Sequence, residues 1–190
     1  MAKFTFILLV LNLFCNYNCW VVTDINSSAL MDKSIEDLDG DMTPEELAQF
    51  SQRLNLVFPG TKWCGPGNTA DNYDDLGTAK ETDMCCRDHD YCENIPSGET
   101  KYNLTNNAYY TRLSCKCDET FRQCLRSANT ETSRTVGITY FNIIGTQCYK
   151  KYYPIIACKR KGGWLNNKCL EYSYDTRSKK VYQWFDVPNF

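Results

Sequence analysis

The single histidine of the chain, His89, lies in an eight-residue segment that contains three cysteines and runs from Cys85 to Cys92. Histidine is the one side chain whose ordinary pKa allows it to accept or release a proton near neutral pH. The next residue, Asp90, carries carboxylate oxygens of the kind that bind hard cations. The segment therefore predicts a general base directly beside a metal ligand.

The N-terminus has the pattern of a secretory signal peptide, which we place at residues 1–23. Lys3 precedes an apolar run from Phe4 to Phe14 that is too short to cross a bilayer. Cleavage is compatible with two positions in this stretch, so the fate of Cys15 and Cys19 is open. The pattern predicts a secreted protein.

Residues 24–53 are strongly acidic and contain no cysteine, and we interpret them as a propeptide. The segment from Thr43 to Glu46 has the composition of a helix start, with a capping threonine, a proline and a glutamate. Arg53 is a candidate processing site, which leaves residues 54–190 as the mature domain. The alternative is an acidic arm that is retained.

The charge of the predicted mature domain differs from that of the whole chain. The chain holds 21 basic and 23 acidic residues, of which residues 1–53 account for 3 and 8. Residues 54–190 therefore hold 18 and 15, a mildly positive balance that suits a zwitterionic or anionic phosphate-bearing surface. The excess is too small to indicate a nucleic-acid partner, and solubility alone explains it equally well.

The cysteines beyond residue 54 are even in number, which predicts disulfide bridges in a secreted chain. Zinc is the competing explanation, but the spacings lack the two-residue gap of zinc knuckles, and a single histidine limits mixed sites. We therefore expect five bridges among these ten residues: Cys64, Cys85, Cys86, Cys92, Cys115, Cys117, Cys124, Cys148, Cys158 and Cys169.

The spacing of four cysteines predicts two antiparallel helices joined by a ladder of bridges. Cys85 and Cys92 are seven residues apart, and Cys117 and Cys124 repeat this spacing. Seven residues make two helical turns, about 10.5 Å along one face. Antiparallel helices can then join the first cysteine of each pair to the second cysteine of the other.

His89 lies between the two rungs of this ladder and is therefore expected to face the second helix. The positions opposite it are Asp118 and Phe121. Because Asp118 places a carboxylate within reach of the imidazole ring, the ladder predicts a base with an orienting acid.

Local patterns predict the ends of these helices and the segment between them. Thr82-Asp83 can cap the first helix, and Leu104 begins the second, with apolar residues at helical spacing as far as Leu125. Residues 93–103 read as a surface loop, at whose end Asn103 opens a glycosylation sequon.

The C-terminal part is predicted to contain one more helix and a pair of strands. Residues 136–144 fit a third helix that Gly145 ends, although their β-branched content favours a strand nearly as well. Two alternating segments, 168–174 and 179–185, predict a C-terminal β-hairpin with its turn at 175–178. The expected fold is mainly α and disulfide-rich.

A glycine-rich loop upstream of the helices, Gly65-Pro66-Gly67, can bend tightly and expose its main-chain carbonyls. Calcium takes six to eight oxygens and accepts main-chain carbonyls, so this loop and the carboxylate of Asp90 could form a weak calcium site. Taken alone, such a motif is more often a plain turn. Only a bridge from Cys64 to the His89 helix would bring it to Asp90.

Three motifs together resemble the secreted phospholipases A2, and among them the group III or bee-venom type. They are Trp63-Cys64-Gly65-x-Gly67, Cys85-Cys86-x-x-His89-Asp90-x-Cys92 and Cys115-x-Cys117-Asp118, with the closing segment Val181-Tyr182-Gln183-Trp184-Phe185-Asp186. The similarity spans residues 56–186, and the three motifs follow one another in the order typical of that family.

The resemblance implies one calcium ion and hydrolysis of the sn-2 ester of a glycerophospholipid. The main-chain carbonyls of Trp63, Gly65 and Gly67 and both carboxylate oxygens of Asp90 would hold the ion. His89 would take a proton from the water that attacks the ester, and no covalent intermediate is expected.

The resemblance also implies supporting roles around His89. Asp118 would hold the second ring nitrogen, Tyr140 would steady Asp118, and the N–H of Gly65 would help to stabilise the oxyanion. The implied bridges are Cys64–Cys86, Cys85–Cys124, Cys92–Cys117, Cys115–Cys148 and Cys158–Cys169.

For partners, the resemblance implies a secreted, monomeric enzyme that acts peripherally on a phospholipid surface, as a venom or lipid-digesting component, without nucleic acid. Leu56, Val57, Phe58 and Lys62 either form the rim that meets the lipid or pack on the body. The basic run Lys159-Arg160-Lys161 is either a processing site or a solvated loop.

A non-catalytic ligand of a cell-surface receptor is the rival hypothesis for this scaffold. Such a protein is expected to lose residues of the site, yet His89, Asp90 and the loop glycines are all present. Receptor binding could also coexist with catalysis.

Overall fold

The structure, a computed structural model, describes residues 57–163 and 168–190. The predicted signal peptide at 1–23, the predicted propeptide at 24–53 and the rim residue Leu56 lie outside the described residues. None of the helices in the described ranges has the length and apolar character that a membrane span requires.

The first helix, α1, extends over Lys80–Asp90 and carries the cysteine–histidine segment. The predicted capping role of Thr82 and Asp83 is wrong, because both residues lie inside the helix and the preceding Ala79 makes no side-chain cap. Cys92 lies just beyond the end of α1. Five residues of α1 are buried: Thr82, Asp83, Cys85, Cys86 and His89.

The second helix, α2, extends over Cys115–Ala128, eleven residues later than its predicted start at Leu104. Ser114 caps it by accepting a hydrogen bond from the backbone N–H of Cys117. The residues before it are not helical, because two short antiparallel pairings hold parts of this segment as strands. These pairings join β1 (Asn94–Ile95) to β4 (Arg112–Leu113) and β2 (Thr100–Lys101) to β3 (Leu104–Thr105).

The predicted surface loop at 93–103 thus contains strands. A tight turn at Tyr102 and Asn103 connects β2 to β3, and both turn residues have positive φ angles, 56° and 59°. Two successive positive φ values are typical of the turns that fit the twist of a hairpin. Asn103, the predicted glycan acceptor, is exposed at this turn.

A third helix is present, as the pattern at 136–144 predicts, and the strand alternative is wrong. It begins as α3, Glu131–Gly137, with a capping box between Thr130 and Ser133. It continues as a π-helical segment, Ile138–Ile144, and ends where Gly145 adopts a left-handed conformation with φ 63°.

The C-terminal segments form strands, but the predicted hairpin between 168–174 and 179–185 is wrong. The four strands are β5 (Gln147–Tyr152), β6 (Ile155–Gly162), β7 (Lys168–Tyr174) and β8 (Val181–Asp186). β7 pairs with β6, and β8 pairs with β5. The segment with β5 and β6 therefore runs antiparallel to the segment with β7 and β8, in two successive two-stranded sheets with an interruption between them.

The interruption lies at Pro154, which has no backbone N–H to continue the ladder. The side chain of Gln183 bridges it, because its amide donates to the carbonyl of Tyr153 at 2.6 Å and accepts from the N–H of Ile155 at 3.0 Å. Lys159, Arg160 and Lys161 lie in β6, so the predicted solvated loop at these residues is wrong.

The fold is mixed rather than mainly α, since strands cover nearly as much of the described chain as helices do. The five disulfides join the same cysteines as the family resemblance implies. The hydrophobic core of the described residues includes four of these cysteines, Cys64, Cys85, Cys86 and Cys148, together with buried side chains such as Trp63, Phe121, Leu125, Phe141 and Phe185.

Candidate active site

His89 and Asp118 meet between α1 and α2, where the ladder of cysteines predicts them. Nε2 of His89 lies 2.9 Å from Oδ1 of Asp118. Both side chains are buried, with 8% and 2% of their surface exposed. Because a carboxylate can only accept, Nε2 is the protonated nitrogen and Nδ1 is left as the basic one. Within the described residues, nothing hydrogen-bonds to Nδ1.

Tyr140 completes a three-residue chain from the π-helical segment. Its hydroxyl donates to Oδ1 of Asp118 at 2.9 Å. Burial, together with the charge and the hydrogen bond of Asp118, holds the pKa of Tyr140 well above its ordinary value, so the hydroxyl remains a donor. In the described structure Oδ2 of Asp118 is buried without a hydrogen-bond partner.

Aromatic rings fix the plane of the imidazole. The ring of Phe121 stacks on His89 with centroids 4.2 Å apart, and the ring of Tyr140 meets it edge-on at 5.2 Å. Phe121 is therefore the second predicted neighbour that the structure places against His89. Rotation of the imidazole away from Asp118 would break both contacts.

The glycine-rich loop is tied to α1 by a disulfide and by a carboxylate. The Cys64–Cys86 bridge provides the link that the sequence requires if the loop is to reach Asp90. Asp83 adds a second link, because Oδ1 accepts from the N–H of Trp63 at 2.8 Å and Oδ2 accepts from the N–H of Gly77 at 2.8 Å. The N–H of Lys62 lies 2.9 Å from both oxygens.

Asp83 is the residue of the site that sequence reasoning missed. A carboxylate in the first turn of a helix is ordinarily explained as a favourable partner of the helix N-terminus, and this explanation conceals its role here. Asp83 is fully buried, and its charge is met by main-chain N–H groups of a preceding loop. Only the folded loop reveals these donors.

Most main-chain carbonyls of the loop are left without a hydrogen-bond donor. The carbonyl of Lys62 accepts from Thr69 and that of Cys64 accepts from Phe58. In the described chain no donor reaches the carbonyl oxygens of the residues between and after them, which are Trp63, Gly65, Pro66 and Gly67. The three oxygens that the resemblance assigns to calcium are therefore among the carbonyls that the fold leaves free.

Asp90 carries a carboxylate one helical turn after Cys86, the residue that the disulfide joins to this loop. Although the residue is exposed overall, burial of its carboxylate and the charge of Asp83 raise the pKa of Asp90 to about 7. In the described residues no hydrogen bond or ion pair engages this carboxylate. Free carbonyls beside an uncompensated carboxylate fit an oxygen-binding cation. The described chain contains no group of three or more His, Cys, Asp or Glu suited to a metal, so such an ion would depend on the main-chain oxygens.

The predicted lipid-facing rim is only partly exposed. Val57 is half-buried, and Phe58 packs against the core cluster, so the alternative that these residues pack on the body fits Phe58. The side chain of Lys62 pairs with Asp75. Near Asp90 the exposed apolar surface is instead aromatic, at Tyr73 and Tyr91.

Comparison with known proteins identifies the family. The family model described as Phospholipase A2 matches residues 57–152. A phospholipase A2 of Bombus pensylvanicus is 50% identical over 137 residues, which are 71% of this chain and 100% of that protein. One of Apis mellifera is 45% identical over 158 residues, or 82% of this chain and 88% of that protein. One of Xylocopa appendiculata circumvolans is 46% identical over 142 residues, which are 74% of this chain and 77% of that protein.

These relatives confirm the resemblance to the bee-venom type. The matched region contains the glycine-rich loop, both helices of the site and the first of the C-terminal strands. The chain belongs to the phospholipase A2 family and is a hydrolase of carboxylic esters.

Proposed function

We propose that this phospholipase A2 hydrolyses the sn-2 ester of glycerophospholipids in a calcium-dependent reaction and releases a fatty acid and a lysophospholipid. The observation that carries the proposal is the buried contact of His89 with Asp118, on a helix that the Cys64–Cys86 bridge joins to a loop with unused carbonyls. A base, an orienting acid and a cation site are the groups that ester hydrolysis by an activated water requires.

His89 acts as the general base. Nδ1 takes a proton from a water molecule while the water oxygen attacks the sn-2 carbonyl carbon. Asp118 holds the Nε2–H, so the ring keeps one tautomer and the imidazolium that forms is stabilised. When the bond to the glycerol oxygen breaks, His89 returns the proton to that leaving oxygen.

Tyr140 and Phe121 act on orientation. The hydroxyl of Tyr140 holds Asp118, and the Phe121 ring fixes the imidazole plane. The buried setting strengthens these contacts, because the local dielectric is low.

The calcium ligands in this proposal are the carbonyls of Trp63, Gly65 and Gly67 and the carboxylate of Asp90. When bound, calcium supplies positive charge for the ester oxygen and for the substrate phosphate. The N–H of Gly65 is directed to the same ester oxygen as negative charge develops there.

The proposed setting is extracellular, where calcium is abundant enough for a weak site. The five disulfides support an oxidising compartment. The protein would act as a monomer on a phospholipid surface, without nucleic acid, as a venom or lipid-digesting component. A cell-surface receptor is a further partner that this scaffold permits.

The test is release of fatty acid from phospholipid vesicles by wild type and by His89→Gln, each with calcium and with a chelator. We expect His89→Gln to lower the rate by about 10²–10⁴-fold, the usual contribution of a general base. Calcium binding by the variant should persist, which separates loss of the base from loss of the fold. Activity that survives either the substitution or the chelator would contradict the mechanism.

A further inference from the structure

The charge of the described molecule is divided along the chain. Residues 147–190, which contain β5 to β8 and are called the C-terminal arm below, hold nine Lys or Arg residues and three Asp or Glu residues. Residues 57–146, which contain the candidate active site, hold nine Lys or Arg residues and twelve Asp or Glu residues. The arm thus carries a net charge of +6 and the rest −3, although the whole chain is nearly neutral.

The positive charge of the arm lies on its surface. Only Lys168 is buried, and the other eight basic residues are exposed: Lys150, Lys151, Lys159, Arg160, Lys161, Arg177, Lys179 and Lys180. Among the described residues, only two of these basic side chains form ion pairs. Lys159 and Arg160 each lie 3.9 Å from the carboxylate of Glu171. The cations are therefore largely uncompensated.

The remaining carboxylates of the arm are occupied within it. Asp175 accepts from the N–H of Arg177 and the hydroxyl of Ser178 in a turn. Asp186 accepts from the N–H of Cys169 and the hydroxyl of Tyr172 across the strands. Neither carboxylate pairs with an exposed basic side chain of the described structure.

Apolar side chains are exposed among these cations. Ile156 on β6 is 67% exposed, the largest exposed fraction among the apolar side chains of the described chain. Tyr152 and its cross-strand partner Val181 are also exposed, and the ammonium groups of Lys150 and Lys180 lie 5.4 and 5.7 Å from the Tyr152 ring centroid. Lysine beside aromatic and aliphatic side chains is a composition suited to the interface of a bilayer.

We propose that the C-terminal arm is a docking surface for anionic phospholipid membranes. Uncompensated cations are attracted to the negative potential of such a surface, and Ile156 and Tyr152 can enter the headgroup region once the arm is near. A sulfated polysaccharide would match the charge but gives no reason for an exposed isoleucine. The inference rests on the proposed function only in its choice of a lipid surface, because docking does not require the hydrolytic site.

The test measures partitioning onto vesicles in the presence of a calcium chelator, so that hydrolysis does not interfere. The probes are phosphatidylcholine vesicles with and without phosphatidylglycerol. Each Lys or Arg near an anionic surface contributes about fivefold to binding. Lys161→Gln with Lys179→Gln and Lys180→Gln should therefore weaken binding to the anionic vesicles about a hundredfold, while the three matching Lys→Arg changes should preserve it.

The matched control removes the same charge from the helices through Lys80→Gln, Lys116→Gln and Arg134→Gln, all of which are exposed. We expect this control to remain within a few-fold of wild type. Equal losses in both variants would show that net charge alone matters and would overturn the proposal. Loss of binding to heparin with unchanged vesicle binding would also overturn it, in favour of a polysaccharide.

Docking and hydrolysis can fail separately. If wild type binds anionic vesicles through the arm yet releases no fatty acid with calcium, the proposed function fails and docking stands. If hydrolysis is observed and the arm variant binds as well as wild type, the docking surface is wrong. Hydrolysis of a soluble short-chain phospholipid by the arm variant should equal that of wild type, which verifies that it is folded.

Discussion

At the scale of single residues, the site is organised by two buried carboxylates with different partners. Asp118 accepts from two side chains, His89 and Tyr140, and so fixes the orientation of the base. Asp83 accepts from three main-chain N–H groups and so fixes the shape of the loop. Buried charge is tolerated where it is hydrogen-bonded, which both oxygens of Asp83 and one oxygen of Asp118 satisfy.

Tyr140→Phe should lower kcat/KM about tenfold, because a hydrogen bond to a charged acceptor is worth roughly 1.5–3 kcal/mol and Asp118 would keep only His89 as a donor. Calcium affinity should not change. The measurement is fatty acid release together with a calcium titration. Tyr149→Phe is a matched control, since Tyr149 is also a buried tyrosine but its ring packs against Tyr102 and Trp184. Equal effects of the two changes would contradict the role of Tyr140.

Asp83→Asn and Asp90→Asn are the same chemical change on one helix, but we expect them to affect protein stability differently. The first should lower stability by about 2–4 kcal/mol, because buried N–H groups lose a charged acceptor. The second should leave stability unchanged or slightly higher, because burial already disfavours the charge of Asp90. Both should weaken calcium binding. Thermal unfolding with and without calcium measures both the stability and the calcium binding of each variant. An Asp83→Asn protein that is as stable as wild type and binds calcium normally would contradict the role of Asp83 in shaping the loop.

At the scale of elements, the π-helical segment that carries Tyr140 is held by a strand. The ammonium group of Lys168, the first residue of β7, donates to the carbonyls of Phe141 and Val187. Its side chain also packs against Gly145, where the segment ends. The last carbonyls of a helix lack partners within the helix, and a lysine is a suitable donor to them. Burial lowers the pKa of Lys168, although Asp186 opposes the shift.

Lys168→Met should lower stability by about 2–4 kcal/mol, because two buried carbonyls lose their donor while the aliphatic volume is kept. Activity should fall with it, since the Phe141 carbonyl is adjacent to Tyr140. In a Tyr140→Phe background the same substitution should cost less activity than in wild type. Lys161→Met, on the paired strand, is the control when activity is measured on a soluble short-chain phospholipid, which does not depend on docking. Fully additive activity losses would show that Lys168 serves stability alone.

At the scale of the whole molecule, the disulfides serve different regions. Cys85–Cys124 and Cys92–Cys117 connect α1 to α2 on either side of His89, and Cys64–Cys86 connects the loop to α1. Cys115–Cys148 connects α2 to β5, while Cys158–Cys169 closes only the pair of β6 and β7. The helices of the site and the β6–β7 pair are therefore braced by separate bridges, and Cys115–Cys148 joins α2 to the first strand of the C-terminal arm.

Replacing Cys158 and Cys169 by serine should lower stability by about 3 kcal/mol, the value expected for a short closed loop, and leave hydrolysis of a soluble short-chain substrate unchanged. Replacing Cys92 and Cys117 should lower both stability and activity, because that bridge lies one helical turn from His89. Unfolding in denaturant and fatty acid release test the pair. Equal activity losses would mean that the arm is coupled to the site.

The sequence by itself determined the features that depend on short spacing. Two seven-residue intervals between cysteines place His89 and Asp118 on facing helix surfaces, because the helical repeat is the same wherever the helix lies. The strand character of β7 and β8 was likewise predictable from the alternating residues of their sequences, because the side chains of a strand repeat every two residues. The glycine loop indicated carbonyl ligands, but its link to Asp90 had to be supplied by the resemblance.

Only the tertiary structure decided the partners of these elements. Residues 104–113 have a helical pattern, yet the long-range pairing of Asn94 with Leu113 keeps the chain extended until Ser114. By sequence, β7 and β8 resemble the two strands of one hairpin, yet β7 pairs with β6 and β8 pairs with β5. Strand partners, the donors to Asp83 and the acceptors of Lys168 come from distant parts of the chain, and local periodicity holds no information about which distant residues will meet.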